Sequence, residues 1–265
     1  MAGKTPQLIT LTTDFGTSDH FVGVMKGVIL GIAPQVTIID VSHHVKAFEI
    51  SEGAFLVSQM YRYYPKGTIH VAVVDPGVGT SRRPLLVEAA GQYFIGPDNG
   101  LLSMVYSREK HKAREITARK YFLQPVSATF HGRDIFAPVA AHLASGVKPA
   151  QFGNRVEDHL RMTFEHPKRN GKRTWTGVVL KADHFGNLIT NFHIDEFPDL
   201  PTRAFEMQVG IQKLDQLAHT YAQHDGAGAF IIVGSSGYLE VAVNQGSAAK
   251  SLGCGAGSPV ELTVY

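Results

Sequence analysis

The chain of 265 residues is long enough for one large domain or two modest ones, and 44% of its residues are hydrophobic. Its 25 basic and 23 acidic residues give a formal net charge of +2, which excludes a long-range field that would recruit nucleic acid or an anionic membrane. The single cysteine, Cys254, excludes an intramolecular disulfide and a cysteine-based zinc site, so we expect a cytoplasmic protein. The first apolar run has only strand length, too short for a secretory signal or a membrane span.

The first half of the chain alternates apolar runs of strand length with segments whose apolar residues recur at helical spacing. The predicted elements are strands in LITLTT, VTIIDVS, TIHVAVV and PLLVEAA and helices over residues 21–32 and 50–61. Because residues 69–74 are apolar at nearly every position, we expect an α/β domain with a mainly parallel sheet that is buried on both faces. Ligands of such a sheet bind at the carboxyl ends of its strands, where Asp14 and Asp75 lie.

The second half of the chain changes to strand-length segments separated by Gly, Asn and Asp, which predicts a mostly β domain. The predicted strands lie in TWTGVVLKAD, NLITNF, AFEMQVG, AFIIVGSS, YLEVAVN and SPVELTVY. We therefore divide the chain into an α/β domain, residues 1–160, and a β-rich domain, residues 161–265. The basic run HPKRNGKR, residues 166–173, has no apolar period and is interpreted as a solvated linker.

Two short polar motifs follow predicted strands in the first half. In TTDFG, the ionised carboxylate of Asp14 can accept hydrogen bonds from the vicinal hydroxyls of a ribose, although a simple Asp turn is also compatible. In DPGVGTSRR, Arg82 lies seven positions after Asp75, as a looping segment at a sheet rim requires; a solvated surface turn is the alternative. The motif lacks the glycine and lysine spacing of phosphate loops and dinucleotide sites. GPDNG is interpreted as a tight turn.

FHGRD precedes a predicted helix whose apolar face continues through Ile135, Val139 and Leu143. His131 lies just before that helix, where it can face a cleft. Because histidine titrates near neutral pH, this position suits a proton acceptor or relay. A surface histidine is the alternative interpretation.

Two motifs in the second half offer groups for a flat base and for an amino acid. DHFGN supplies Phe185 for stacking and the Asn187 amide for a purine edge, with a β-turn around a buried aromatic as the alternative. In SSGYLEVAVNQGSAA, a polar loop can hold a zwitterion, with Glu240 facing the ammonium group and hydroxyls and backbone amides facing the carboxylate. The polar residues of this segment are Ser235, Ser236, Tyr238, Glu240 and Asn244.

Taken in order, LTTDFG, VVDPGVGT, GPDNG, TFHGRDIFAPVAAHLA, DHFGNLITN and SSGYLEVAVNQGSA resemble the S-adenosyl-L-methionine (SAM) hydroxide adenosyltransferases. These are adenosine-forming SAM hydrolases related to fluorinase and chlorinase, and the likeness runs from about Leu8 to Val264. The resemblance implies an α/β domain, a barrel-like β domain and a homotrimer whose active sites lie between the N-terminal domain of one subunit and the C-terminal domain of its neighbour. It implies SAM as the substrate. We expect no cofactor, no metal, no nucleic acid partner and no membrane partner.

The resemblance also assigns roles to residues. It implies a catalytic trio of Asp75, Arg82 and His131, with Arg83 as the alternative arginine if the register shifts by one residue. It implies that SAM is bound by Asp14, Asp75, Phe130, Asp183, Phe185, Asn187, Ser235, Ser236, Tyr238, Glu240 and Asn244.

The choice of acceptor also follows from the resemblance. The halogenase pattern has an aromatic residue at the position of Asp75 and Tyr-Ser in place of His131-Gly132, and it has an additional loop after the position of Thr80. All three differences argue for water rather than halide. A sulfonium is already a positively charged leaving group, so displacement at the ribose C5′ needs only a positioned nucleophile.

We therefore expect hydrolysis of SAM to adenosine and L-methionine. The alternatives are a halogenase-like adenosyltransferase and a SAM- or adenosine-binding protein with negligible turnover. Metal-dependent hydrolysis through His43, His44, Asp98 and His184 lacks any recognisable metal-ligand spacing.

Overall fold

The structure is a computed structural model that describes residues 7–163, 166–223 and 228–265. The chain divides into two compact units, Met1–Met162 and Thr163–Tyr265. Each unit has a hydrophobic core of its own. Within the described residues, no helix is long and apolar enough to cross a membrane.

The first unit is a mixed sheet with helices. Its elements are β1 (Leu8–Thr13), α1 (Phe21–Ile32), β2 (Thr37–Ser42), α2 (Ile50–Met60), β3 (Ile69–Val73), β4 (Pro84–Ala89), β5 (Gln92–Pro97), α3 (Ser103–Arg108), β6 (His111–Glu115), α4 (Ala137–Ala144) and β7 (Arg155–Val156). The strand order is β2-β1-β3-β5-β4-β6-β7. The predicted α/β class is confirmed.

The sheet is parallel on one side and antiparallel on the other. Strands β2, β1, β3 and β5 run parallel, whereas β4, β6 and β7 are added in antiparallel pairs. The change of direction follows from the two-residue turn between β4 and β5, where Ala90 and Gly91 have φ angles of 53° and 74°. Positive φ at both positions is the geometry of a type I′ hairpin turn. By contrast, the helical crossovers through α1 and α2 keep the strands they join parallel.

Strand β3 is buried along its whole length and lies between two layers of helices. Val71 and Val73 belong to the core cluster that contains α1 and α4. Ala72 and Val74 belong to the cluster that contains residues of α2 and α3. Because successive strand residues point to opposite faces, a central strand is expected to be apolar on both faces, and β3 is apolar at every position except His70.

The second unit is a curled, half-barrel sheet and confirms the predicted β-rich class. Its elements are β8 (Lys168–Arg169), β9 (Thr174–Ala182), β10 (Leu188–His193), β11 (Phe205–Val209), β12 (Gln212–Leu214), β13 (Leu217–Ala218), β14 (Ala229–Val233), β15 (Tyr238–Val243), α5 (Ala248–Leu252) and β16 (Pro259–Val264). The strand order is β12-β11-β16-β9-β10-β15-β14-β13, and β8 pairs with β9. Alternate residues of β11 are buried, as a strand with one face on a core requires.

The basic run at residues 166–173 corrects the linker interpretation in one respect. The run is exposed, but Lys168 and Arg169 pair with β9 at Thr176 and Trp175. The guanidinium of Arg169 also lies 5.4 Å from the centre of the Trp175 ring. This cation–π contact and the strand pairing order the segment.

Candidate active site

Two carboxylates lie at one edge of the first unit's sheet. Thr13 of β1 pairs with Val73 of the neighbouring parallel strand β3, so Asp14 and Asp75 both follow strand ends at the same edge. Oδ2 of Asp14 accepts a hydrogen bond from the backbone N–H of Phe48 at 3.0 Å. The edge therefore carries two fixed acceptor groups.

Phe48 is a residue of this edge that the sequence motifs do not include. Its φ of 69° is strained for a residue with a side chain, and its ring is 71% exposed. The backbone strain aims its amide at Asp14, which lies 34 positions away in the chain. No local pattern could reveal a contact between such distant segments.

Asp75 of this edge contacts Arg82, which in turn contacts His131. Nε of Arg82 donates to Oδ1 of Asp75 at 3.0 Å, and Nη2 donates to Oδ2 of the same carboxylate. The second hydrogen of Nη2 is directed to Nδ1 of His131, at 2.7 Å. The Arg82 and Asp75 side chains are only 8% and 5% exposed, so their ion pair is little screened by water. Arg82 thus bridges the acid and the imidazole.

The hydrogen bond from Arg82 fixes the protonation of His131. A guanidinium can only donate, so Nδ1 must be the acceptor and Nε2 carries the proton of the neutral ring. Burial lowers the pKa of His131, and the nearby Arg82 charge lowers it further, against smaller opposing effects of Asp75 and Asp134. The imidazole is therefore neutral at neutral pH, with Nδ1 as its basic nitrogen.

Arg82 keeps one nitrogen for a ligand. Its Nη1 is buried and makes no hydrogen bond with any described residue. The guanidinium lies 5.3 Å from the centre of the Phe136 ring, which covers it with an apolar surface. Because a buried donor without a partner is costly, this nitrogen indicates a place for a water or substrate oxygen.

The loop that carries Arg82 is held against the segment before His131 by a close backbone approach. Gly79 has φ of 77°, and a Cβ at this position would lie 2.2 Å from the carbonyl oxygen of Ala128. Only glycine fits there. His131 itself precedes a π-helical turn, Gly132–Phe136, that leads directly into α4. Such wide turns occur often at functional sites.

Arg83 has different partners from Arg82. Its guanidinium donates to Oδ2 of Asp98 at 2.7 and 3.0 Å and to Oδ1 of Asp158 at 2.8 Å. Of the two neighbouring arginines, Arg82 is the one that contacts Asp75 and His131. Asp98 of the GPDNG turn serves as an anchor for Arg83.

Phe130 forms part of an aromatic wall in the first unit. Its ring packs edge-to-face against Phe15 and Phe21, with centroids 5.8 and 5.2 Å apart. The guanidinium of Arg133 lies over the same ring at 5.3 Å. Phe130 directly precedes His131 in the sequence, so the wall supplies an apolar surface at the residue before the histidine.

In the second unit, Asp183 and Asn187 close a tight turn between β9 and β10. Oδ1 of Asp183 accepts from the Asn187 backbone N–H at 2.8 Å, and Oδ2 accepts from Nδ2 of Asn187 at 2.9 Å. Asn187 is buried, and within the described residues no hydrogen bond reaches its Oδ1. Phe185, at the tip of the turn, is 75% exposed rather than buried. The turn therefore offers an exposed ring and an oriented amide oxygen.

Glu240 is a buried acid in strand β15. Burial is the main cause that raises its pKa to about 7, and the charge of Asp183 adds to the shift. Gly234 lies against it, since a Cβ at that position would be 1.8 Å from Oε1 of Glu240. The pKa of Tyr221, a residue that the sequence motifs do not include, is raised by burial and by Glu240 and Asp183. These groups form one electrostatic cluster.

The remaining predicted residues are spread along β15. Ser235 and Ser236 lie in the turn before this strand, whereas Asn244 follows its end. Leu188 pairs with Val241, so Asn187 lies toward the Asn244 end. The six residues of the strand span about 20 Å. Tyr238 is buried, and its ring lies edge-on to that of His193 with 5.0 Å between the ring centroids.

No metal centre is evident in the residues that the structure describes. Among them, no three His, Cys, Asp or Glu side chains come together as a metal site would require. His43, one of the residues weighed for metal binding, instead lies against Thr13, with 2.9 Å between its Nδ1 and the threonine Oγ1.

Comparison with known proteins identifies the family. Residues 9–153 match the SAM hydroxide adenosyltransferase N-terminal domain, and residues 177–261 match the C-terminal domain. A protein of Salinispora tropica named (R)-S-adenosyl-L-methionine hydrolase is 38% identical over 262 residues, which cover 96% of this chain and 97% of that protein. A fluorinase of Actinoplanes sp. is 29% identical, with 97% of each chain covered.

The fold comparison agrees with the sequence comparison. The crystal structure of an uncharacterized conserved protein from Thermotoga maritima matches with a TM-score of 0.89 and 35% sequence identity, covering 96% of this chain and 99% of that one. The two domain matches together span most of the sequence, and the relatives align over nearly their full length. The chain therefore belongs to the SAM hydroxide adenosyltransferase family.

Proposed function

We propose that this chain hydrolyses SAM to adenosine and L-methionine through attack of a water molecule on the ribose C5′. The observation that carries the proposal is the Arg82 side chain. It holds Asp75 and His131 with two nitrogens, and its third, Nη1, is a buried donor that meets no described residue. Family membership and the relative named as a SAM hydrolase support the choice of substrate.

The proposed reaction is a single displacement. The water oxygen forms a bond to C5′ while the C5′–S bond breaks, and the electron pair of that bond neutralises the sulfonium. The water loses one proton, and the products are adenosine and methionine. The leaving group needs no acid and no metal, so the protein's task is to hold the water in line and to accept its proton.

The trio divides this task. Nη1 of Arg82 donates to the water oxygen, which leaves a lone pair free for attack. Asp75 fixes the guanidinium by two hydrogen bonds. Nδ1 of His131 receives the proton once its hydrogen bond from Arg82 is exchanged for one from the water. A positioned base is worth about 10²- to 10⁴-fold in rate, so alignment and the exclusion of bulk water supply the rest.

The proposed substrate contacts follow the chemistry of SAM. Asp14 and Asp75 accept hydrogen bonds from the ribose hydroxyls, for which a carboxylate has spare lone pairs beyond its protein contacts. Phe130 lines the nucleoside site, Phe185 stacks on adenine, and Asn187, oriented by Asp183, accepts from the adenine amino group. The methionine part is bound by Ser235, Ser236, Tyr238 and the ionised form of Glu240, whereas Asn244, at the Asn187 end of β15, contacts the substrate on its adenine side.

We further propose a cytoplasmic homotrimer whose active sites each combine two chains. The catalytic trio belongs to the first unit, whereas the adenine and methionine contacts belong to the second. A cyclic trimer would let the first unit of one subunit meet the second unit of its neighbour. The single cysteine supports a reducing compartment.

Turnover of SAM in ¹⁸O-labelled water tests the reaction. We expect adenosine and methionine in equal amounts, with the label in the adenosine 5′-hydroxyl and none in methionine. Methylthioadenosine as the product would place the attack at another carbon and contradict the proposal. A 5′-halogenated nucleoside formed with chloride or fluoride would favour the halogenase alternative, and ligand binding without turnover would favour a binding protein.

A further inference from the structure

The first unit contains a basic cleft that the proposed reaction does not use. The cleft has a volume of about 720 Å³ and is lined by the end of α3, by β6 and by residues 155–161. No residue of the catalytic trio lines it, and neither does Asp14 or Phe130. It is therefore a separate concave surface of the same unit.

The cleft concentrates positive charge. Five basic and two acidic side chains line it, a formal excess of three positive charges, although the whole chain carries only +2. The basic side chains are Arg108, Lys110, Lys112, Arg155 and Arg161. Charge of one sign gathered in a concavity focuses the field there and attracts counter-ions.

Four of these cations form no ion pair with any residue that the structure describes. They are Lys110, Lys112, Arg155 and Arg161, and all four are exposed. The nearby Arg83 shows the contrast, because Asp98 and Asp158 neutralise it. Like charges that face a shared cavity repel each other, and an anion in the cavity would relieve that repulsion.

The cleft has an ordered aromatic floor. Nε2 of His111 lies 3.0 Å from Nε2 of His159, which requires that one ring donates and the other accepts. Tyr106 stacks on His111 with centroids 4.5 Å apart and meets the His159 ring edge-on at 4.6 Å. His159 is only 6% exposed, and its Nδ1 makes no hydrogen bond with a described residue, although the Val156 backbone is near.

From these observations we infer that the cleft is a binding site for a phosphate-class anion. Arginine and lysine are the side chains that bind phosphate oxygens, and an excess of three positive charges matches a di- or trianion better than a single carboxylate. The volume exceeds the needs of one phosphate group. The ligand is therefore inorganic pyrophosphate or a small phosphate ester.

Calorimetric titration of the full chain with inorganic pyrophosphate tests this site without reference to SAM turnover. We expect one pyrophosphate per chain, with affinity that falls as salt rises. The double variant Arg155→Gln/Arg161→Gln should bind at least about tenfold more weakly. The matched control Arg119→Gln/Lys120→Gln removes the same charge from exposed residues of the same unit, outside the cleft, and should bind as the unchanged protein does.

Three results would overturn the inference. These are no binding by the unchanged protein, unaltered binding by the cleft variant, and equal weakening in the cleft and control variants. Circular dichroism melting checks that each variant is folded, and Lys110→Gln/Lys112→Gln must reproduce the loss if the first variant is unstable. Sulfate that displaces pyrophosphate as effectively as inorganic phosphate does at the same concentration would also contradict a phosphate site.

The same titration separates the two sources of phosphate. Ribose 5-phosphate supplies a phosphate ester without adenine, which avoids competition at the proposed nucleoside site. Tighter binding of this ester than of pyrophosphate assigns the cleft to a phosphorylated metabolite, and the reverse order assigns it to the inorganic anion. Both orders support the site, provided that the cleft variant loses the binding.

Discussion

Nη2 of Arg82 donates to Nδ1 of His131 over 2.7 Å, so the arginine that positions the site also occupies the basic nitrogen of the histidine. In the proposed mechanism, proton transfer from water to His131 therefore requires exchange of this hydrogen bond. Nη1 of Arg82 is available to hold the water while that exchange takes place. Because Asp75 fixes the same guanidinium, the three residues act as a unit, and losses from single substitutions will not add.

Replacement of His131 by asparagine separates positioning from proton transfer. The asparagine amide can present an oxygen close to the place of Nδ1, so Arg82 keeps an acceptor, but the amide does not titrate. We expect His131→Asn to lower kcat by about 10²- to 10⁴-fold with little change in KM. Steady-state assay of adenosine formation measures this. If His131→Asn retained most of the activity while His131→Ala lost it, the histidine would only position Arg82.

The pH profile provides a second readout of the same residue. In the proposed mechanism neutral His131 is the active form, and its pKa is lowered by burial and by Arg82, so kcat at saturating SAM should fall on the acid side only below the ordinary histidine value of 6.5. This acid limb of kcat should disappear in His131→Asn, whereas kcat/KM keeps the separate pH dependence of substrate binding through Glu240. An unchanged acid limb in that variant would assign the titration to another group.

Conservative replacement of the two neighbouring arginines tests their different partners. A lysine at position 82 cannot bridge Asp75 and His131, so Arg82→Lys should lower kcat by at least about 10²-fold. Arg83→Lys should leave kcat near its original value and lower the free energy of unfolding by about 1 kcal/mol, because Arg83 binds Asp98 and Asp158. Kinetic assay and chemical denaturation of both variants distinguish the roles. A reversed pattern would exchange the assignments.

We propose that Glu240 pairs with the ammonium group of the substrate, and its raised pKa should then make binding of the methionine part depend on pH. Only the ionised acid can pair with an ammonium group, and its pKa is about 7, so affinity for S-adenosyl-L-homocysteine should weaken as pH falls from 8 to 6. Adenosine has no ammonium group, and its affinity should not change over this range. Calorimetry measures both. Glu240→Gln should remove the difference between the two ligands; a difference that persists in this variant would mean that another group senses the pH.

Mixed oligomers test whether two chains form each site. His131→Ala removes the proposed base in the first unit, and Asn187→Ala removes the proposed adenine contact in the second. If the chains are coexpressed with different tags and the sites lie between subunits of a trimer, about a quarter of the sites in an equal mixture regain both residues. Activity should then exceed that of either variant alone. A mixture no more active than its components would mean that each site is built from one chain.

The sheet contains a histidine that should make stability depend on pH. His70 is buried, and burial lowers its pKa to about 4 from 6.5, while Nε2 donates to Gln92 and Nδ1 faces Thr10. As pH falls, His70 binds a proton in the unfolded chain before it does so in the folded chain. The free energy of unfolding should therefore decrease by about 3 kcal/mol between pH 6.5 and pH 4. Urea unfolding at several pH values should show a shallower decline for His70→Gln. The exposed His219→Gln serves as control and should keep the original slope.

The first strand and the first helix could be predicted from the sequence almost to the residue. Leu8–Thr13 and Phe21–Ile32 each match an apolar pattern that coincides with burial. The antiparallel half of the sheet could not be predicted. Its pairing depends on the turn at Ala90 and Gly91, and this turn lacks the usual Asn-Gly signal. Strand β5, which follows the turn, is also absent from the predicted strands.

The site shows the same division between local and distant contacts. Arg82 lies seven positions from Asp75, so local spacing indicates that pair. His131 lies 49 positions from Arg82, and its place in the trio follows from the family resemblance. Phe48 and the His111–His159 pair carry no motif, since each acts through a partner distant in sequence. Long-range packing decides such contacts.

The approach of Gly79 to Ala128 has a practical meaning for engineering the acceptor of this reaction. The loop is closed at its ends by the contact between Asp75 and Arg82 and packs at Gly79 against the main chain of Ala128, whereas the Ser81 side chain is exposed. We therefore expect that position 81 can be randomised without displacing the guanidinium. A library built there would search for enzymes that accept alcohols or azide in place of water.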